Sequence, residues 1–153
     1  MNEQITSLRV ERQAKKIQVN DQGEYIVLNL DDQQFLPELL GLMNDFKGIA
    51  EKNENRAREI DEMPDGTDKE YMAKAEKSAA FNLEVCEELK QRVDQTFHDD
   101  VCRKVFGDIV PSIAAFAEFF DQLGELIKKF TEERRAVQNE RVAKYTAKYH
   151  QKG

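Results

Sequence analysis

Few residues of this chain combine the type and the spacing that catalysis requires. Its two cysteines, Cys86 and Cys102, form neither a CxxC pair nor a metal-binding pattern. Cys86 lies among three glutamates, which raise the pKa of a thiol, and Cys102 precedes a single pair of basic residues. Both cysteines are therefore predicted to be reduced, buried thiols rather than nucleophiles.

The segment His98-Asp99-Asp100 places one imidazole beside two carboxylates. A metal site needs three or four converging ligands, and the only other histidine is His150, near the C-terminal end. The segment is instead predicted to be the C-terminal histidine of one helix followed by an N-capping aspartate of the next.

Other motifs with chemical meaning are incomplete or missing. The segment 61–66 ends in Asp-Gly like part of a calcium loop, but Met63 and Met72 stand where oxygen ligands belong. A tight turn between helices is the better interpretation. The sequence has no GxSxG, no phosphate-binding glycine loop and no HExxH. A protein that is not an enzyme, without cofactor or metal, is therefore predicted.

The C-terminal residues 128–153 form a basic segment, with eight basic and three acidic side chains. Basic and aromatic residues recur there at steps of three and four, which places them on one side of a helix. Such a face suits a phosphate backbone with stacked bases, or an acidic protein surface such as residues 31–100 of this chain. A solvated, frayed tail is the third interpretation. The residues of this face are Arg141, Lys144, Tyr145, Lys148 and Tyr149.

Aromatic residues are concentrated on the preceding helical segment. Phe116 and Phe120 belong to a heptad seam that continues through Leu123, whereas Phe119 points about a third of a turn away. An apolar face this wide indicates a helix that packs on two sides, or one side that awaits a partner. The predicted partner-binding residues are the seam flank and the basic tail: Phe116, Phe119, Phe120, Leu123, Arg141, Lys144 and Lys148.

The composition indicates which elements must position these residues. The chain has 153 residues, of which 40% are hydrophobic and 35% charged, with a net charge of −7. Its 7 glycines and 3 prolines are few for a turn-rich β protein, so long helices are favoured. The N-terminus lacks an apolar signal region, and the longest apolar stretch is too short to span a membrane. A cytoplasmic protein is expected.

The predicted fold is mainly α: a bundle of three long helices and a short one, with an N-terminal β-hairpin. The hairpin is predicted over about residues 8–30, around a turn at Asn20-Asp21-Gln22-Gly23. The helices are predicted at about 36–62, 68–97, 100–106 and 109–130, with Pro37, Thr67 and Asp108 as start signals. Residues 1–130 form a single predicted domain, followed by a helical or disordered basic tail over 131–153.

A resemblance to a known family enters at residues 101–111, Val-Cys-Arg-Lys-Val-Phe-Gly-Asp-Ile-Val-Pro. Followed by Phe116, by Phe119-Phe120-Asp121-Gln122, by Lys128-Lys129-Phe130 and by the basic tail, this segment resembles small tail assembly chaperones of phages and prophages of Gram-positive bacteria. The resemblance covers residues 97–150, about the last third of the chain. The acidic middle and the hairpin fit that group in character only.

The resemblance implies a chaperone that binds the long tape-measure protein, and possibly tail-tube subunits, during tail assembly. It implies a protein of the host cytoplasm that is absent from the mature virion. Two alternatives stay open from the residues alone. One is an oligomeric helical scaffold or adaptor, which self-associates through the hairpin or the seam. The other, less favoured, is a nucleic-acid-associated protein that uses the basic tail.

Overall fold

The computed structural model describes residues 3–150, with side chains up to residue 148. It is mainly helical, at 66%, with an N-terminal two-stranded hairpin, as predicted. The elements in chain order are β1 (Ala14–Gln18), β2 (Tyr25–Asn29), α1 (Phe35–Lys47), α2 (Ile49–Lys52), α3 (Glu54–Asp61), α4 (Asp68–Phe97), α5 (Val101–Phe106) and α6 (Ile113–His150). Among the described residues, two helices are long, α4 and α6, where three were predicted.

The hairpin forms around the predicted turn because the Asn20 side chain accepts hydrogen bonds from backbone N–H groups of the turn. The Asn20 side-chain oxygen accepts from the N–H groups of Gln22 and Glu24, each at 3.1 Å. Gly23 adopts a φ of 81°, which favours glycine. The strands are antiparallel, with Ile17 opposite Ile26. They are shorter than predicted, since residues 3–13 form a segment without regular secondary structure outside the sheet, here called the N-terminal arm.

The first predicted helix, over 36–62, is divided into three segments. Gly48 separates α1 from α2, and Asn53 separates α2 from α3. The Ile49 carbonyl accepts from both the Asn53 backbone N–H, at 3.2 Å, and the Asn53 side chain, at 2.9 Å. The predicted helix is divided where apolar residues become scarce along it, so little side-chain packing is available to keep it continuous. Pro37 is the third residue of α1 rather than the first, where its missing N–H still breaks no helical bond.

The start of α4 confirms the predicted capping box. Thr67 Oγ1 accepts from the Glu70 N–H at 3.1 Å and donates to the Glu70 carboxylate at 2.9 Å. The helix ends at Phe97, and His98 caps it with a left-handed φ of 52°. The expected capping aspartate after His98 is wrong: Asp100 makes no side-chain cap bond, and Asp94 accepts from the Cys102 N–H at 2.9 Å.

The start and the end of α6 both differ from prediction. Ser112 Oγ accepts from the Ala115 N–H at 3.1 Å, so Ser112 provides the cap that was assigned to Asp108. Pro111 lies before the helix and is buried. α6 continues past residue 130 without interruption to residue 150, so the described part of the predicted tail has the helical form, one of the two that were predicted. Residues 131–150 are called the C-terminal extension below.

One apolar cluster joins the hairpin to the helices. The inner face of β2 packs against α1, α4, α5 and the first half of α6. The last buried member of this cluster on α6 is Ile127, so the C-terminal extension lies beyond the core. The most deeply buried side chains are Phe116, Ile26, Leu28, Leu39, Leu42, Val93, Val101, Pro111 and Cys102.

Candidate functional site

The predicted aromatic partner surface is part of the core. Phe116, Phe119, Phe120 and Leu123 are only 0%, 9%, 5% and 2% exposed. Of the two interpretations of this wide apolar face, the structure shows the helix that packs on two sides. The role of these four residues in binding a partner stays a prediction.

Ring contacts explain why both sides of α6 are covered. On one side Phe120 lies 4.9 Å from Phe46 of α1, measured between ring centroids. On the other side Phe106 of α5 contacts Phe116 at 5.6 Å and Phe119 at 5.8 Å, both edge to face. The residues that cover the face lie on α1 and α5, which the heptad spacing of α6 could not reveal.

Part of the seam flank nevertheless forms the floor of a groove. Phe119 and Leu123 line a groove of about 380 Å³ between β1, α5 and α6, whereas Phe116 and Phe120 do not. Half-buried apolar side chains form its walls, and exposed polar ones form its rim. The walls include Ile17, Val19, Val105, Phe106 and Leu126, and the rim includes Gln18, Glu118 and Gln122.

Sequence reasoning missed this groove because its walls come from three separate elements. The alternation of Ile17 and Val19 predicted a strand face, and Val105 and Phe106 predicted a short helix. Neither pattern indicates that the strand face and the short helix are far enough apart to leave a groove between them. The available signal was an excess of apolar residues on a helix as short as α5.

An ion-pair cluster fixes the hairpin turn, and with it one wall of the groove, against α5. Arg103 donates to Glu24 at 2.9 Å and to Asp100 at 2.6 Å. The Arg103 hydrogen bond holds the pKa of Glu24 below its usual value, and the Glu24 and Asp100 carboxylates raise the pKa of Arg103. The Asn20 side chain also donates to the Lys104 carbonyl at 3.0 Å. The hairpin is thus attached to the body by contacts distant in sequence.

The predicted basic residues of the tail lie in the open. Arg141, Lys144 and Lys148 are exposed on the C-terminal extension. Arg141 pairs with Glu11 of the N-terminal arm at 2.9 Å, and Lys144 with Glu140 of its own helix at 3.4 Å. Because these pairs are solvent-exposed, they leave most of each cation available to a partner.

Apolar side chains accompany this basic surface. Val137 and Val142 of the C-terminal extension are 37% and 62% exposed. The N-terminal arm carries three more, Ile5, Leu8 and Val10, which are 88%, 86% and 78% exposed. Mixed basic and apolar surfaces on extended elements suit contact with another polypeptide better than with a small molecule.

The two cysteine thiols and the segment His98-Asp99-Asp100 lie in surroundings that serve the fold. Burial raises the pKa of the Cys86 thiol. Burial, with a further contribution from Asp94, raises the pKa of the Cys102 thiol to about 12. Asp99 accepts from Lys104 at 2.7 Å, and that hydrogen bond lowers the pKa of its carboxyl. Across residues 3–150, no cluster of three or more histidine, cysteine or acidic side chains forms a metal-binding group.

Within the described part of the chain, no helix has the length and apolar character to cross a lipid bilayer. No protein-family model, curated protein or solved structure matches the sequence or the fold.

Proposed function

We propose that this protein is a non-enzymatic chaperone of phage tail assembly, which binds the tape-measure protein and possibly tail-tube subunits in the host cytoplasm. The observation that carries the proposal is the C-terminal extension, a helix that continues past the core with basic and apolar side chains exposed. The resemblance of residues 97–150 to tail assembly chaperones supplies the class of client.

The geometry of the C-terminal extension suits a long helical client. Val137, Arg141, Lys144 and Lys148 follow one another at steps of four, three and four, so they share one side of α6. A client helix lying along this side contacts apolar and basic groups together, as helix-to-helix recognition requires. No acidic residue follows Glu140, so the end of the extension favours an acidic client segment.

The reactive groups of the chain support a role without catalysis. Its thiols are buried, and the pKa of each lies above the usual value, so neither is a ready nucleophile. His98 occupies a helix end beside a lysine-paired aspartate.

A tagged form of the full chain, expressed with its neighbouring genes, tests the proposal. Affinity capture with mass spectrometry should recover one very long, helix-forming polypeptide. The charge-reversal pair Lys144→Glu with Lys148→Glu should reduce that capture several-fold. The matched control is Lys69→Glu with Lys77→Glu, two exposed lysines of α4, which should leave capture unchanged.

The same capture separates the alternatives. A nucleic acid in the eluate, lost at raised salt and absent from the Lys144→Glu/Lys148→Glu variant, would replace the chaperone by a nucleic-acid-associated protein. Recovery of the protein alone at every salt concentration would leave an oligomeric scaffold and remove the client from the proposal.

A further inference from the structure

We propose that two copies of this protein associate by exchanging their N-terminal arms, each arm adding a strand to the free edge of β1 and covering the groove of the other copy. The proposal concerns contact between copies and does not depend on the identity of the client. Three features of the described residues carry it: an unpaired strand edge, a half-covered apolar groove beside that edge, and a polar arm whose aliphatic side chains are exposed.

The free edge of β1 follows from the hydrogen-bond register. The Val19 N–H donates to the Glu24 carbonyl at 3.0 Å, and the Leu30 N–H to the Gln13 carbonyl at 3.3 Å. Bonded residues alternate along an antiparallel pair, so the backbone groups of Ala14, Lys16 and Gln18 point away from β2. Within residues 3–150, no other strand pairs with this edge.

The groove continues the inner surface of the sheet at that edge. Ile17 on the inner face of β1, and Val19 directly after β1, are only half-buried, whereas Ile26 on the inner face of β2 is 1% exposed. Gln18, one of the residues with outward-pointing backbone groups, also lines the groove. A strand placed beside β1 would therefore gain backbone hydrogen bonds and set its alternate side chains into an apolar groove, the mode of β-strand addition.

The N-terminal arm has the chemistry of that strand. Leu8 and Val10 are separated by one residue, so both point to one side of an extended chain. They are 86% and 78% exposed, which is unusual for aliphatic side chains close together in a polar segment. Arg9 lies between them, so its side chain points to the opposite side, away from the groove.

The arm of the same chain is held away from the groove. The end of the arm next to β1 is fixed by two contacts. The Gln13 N–H donates to Asp31 at 2.6 Å, and Arg141 pairs with Glu11. The groove lies at the other end of β1, roughly 15 Å along the strand. A second copy meets no such restriction, and reciprocal exchange gives a closed two-fold dimer in which each copy donates and receives one arm.

Light scattering coupled to size-exclusion chromatography of the full chain tests the exchange. The unmodified chain should have the mass of two copies. Leu8→Asp with Val10→Asp should halve that mass, because charged side chains cannot enter the groove. The matched control places the same changes at Tyr71 and Met72, which are 62% and 56% exposed on α4, and should remain dimeric.

The strand edge is tested separately by Lys16→Pro. This change removes an N–H that points away from β2, so the hairpin keeps its own bonds and the mass should again halve. Lys16→Ala is the control, since it also removes the Lys16 side chain from the Tyr25 ring, 4.7 Å away, but keeps the N–H. Circular dichroism checks that each variant retains its helical content.

Mixing the two monomeric variants gives the decisive result. The Leu8→Asp/Val10→Asp chain has an intact edge, and the Lys16→Pro chain has an intact arm, so the mixture should form a one-armed heterodimer. A monomeric unmodified chain at all concentrations would overturn the proposal. So would a dimer that both variants leave intact, or a Lys16→Pro variant that loses client capture without any change in mass, because the groove would then receive the client.

Discussion

The two halves of α6 have similar helical patterns and opposite surroundings. Between residues 116 and 127 the seam is covered on both sides, and Phe116 is 0% exposed. Beyond residue 130 the same spacing reaches Val137, which is 37% exposed. Apolar periodicity therefore predicts which side of a helix is suited to burial, but burial itself requires a second element to pack against that side. Among the described residues, the buried core on α6 ends at Ile127, so this side of the C-terminal extension lies outside the core, which is why it is the candidate contact surface.

The largest expected difference between the two halves is in the free energy of unfolding. Phe116→Ala should lower it by about 3–5 kcal/mol, because the substitution leaves a cavity between α5 and α6. Val137→Ala on the C-terminal extension should change it by less than about 0.5 kcal/mol. Urea denaturation followed by circular dichroism measures both. Equal effects would mean that the extension is folded into the core.

Alanine-to-glycine substitutions test the same difference between the two halves of α6. Ala117→Gly in the first half of α6 should lower the free energy of unfolding by about 1 kcal/mol, the usual difference in helix propensity. Ala143→Gly should leave global unfolding unchanged and speed amide hydrogen exchange only within the C-terminal extension. Exchange that becomes faster throughout the protein in the Ala143→Gly variant would show that the two halves unfold as one unit.

Acid should loosen the hairpin before it affects the rest of the body. The pKa values of Glu24 and Asp99 are lowered in the folded protein, by hydrogen bonds from Arg103 and Lys104 respectively. Their contribution to stability is therefore complete above the unfolded pKa, about 4, and is lost as the pH falls through the folded values.

A Glu24→Gln variant tests this dependence. Its free energy of unfolding should be lower than that of the unmodified protein at neutral pH, and the difference should shrink in acid. The measurement is a series of urea titrations at decreasing pH. A difference that stays constant with pH would show that Glu24 acts through its shape and not through its charge.

The smallest effect is expected at the contact between the arm and the C-terminal extension. Glu11→Gln removes the ion pair with Arg141, whose side chains are 75% and 53% exposed. Exposed pairs contribute little to stability, so the thermal midpoint should not change measurably. A clear decrease would mean that this pair holds the arm and the extension together more firmly than its exposure indicates.

The sequence alone determined the features that depend on neighbours along the chain. The Asn20–Gly23 turn and the Thr67–Glu70 capping box formed as predicted, because the bonds that define them join residues no more than four positions apart. The mainly helical character followed from composition and spacing for the same reason. Even here, the predicted helix over 36–62 is divided at Gly48 and Asn53, since several local arrangements compete where packing is weak.

The tertiary structure alone decided which of these surfaces is buried. Phe119 is covered by Phe106, and Phe120 by Phe46, which lies 74 positions earlier in the chain. Asp94 replaced the expected cap of α5 because the fold brings it to the Cys102 N–H. The groove beside β1 likewise needs three elements in place at once. Burial depends on which distant segments meet, and a spacing pattern within one helix carries no information about that meeting.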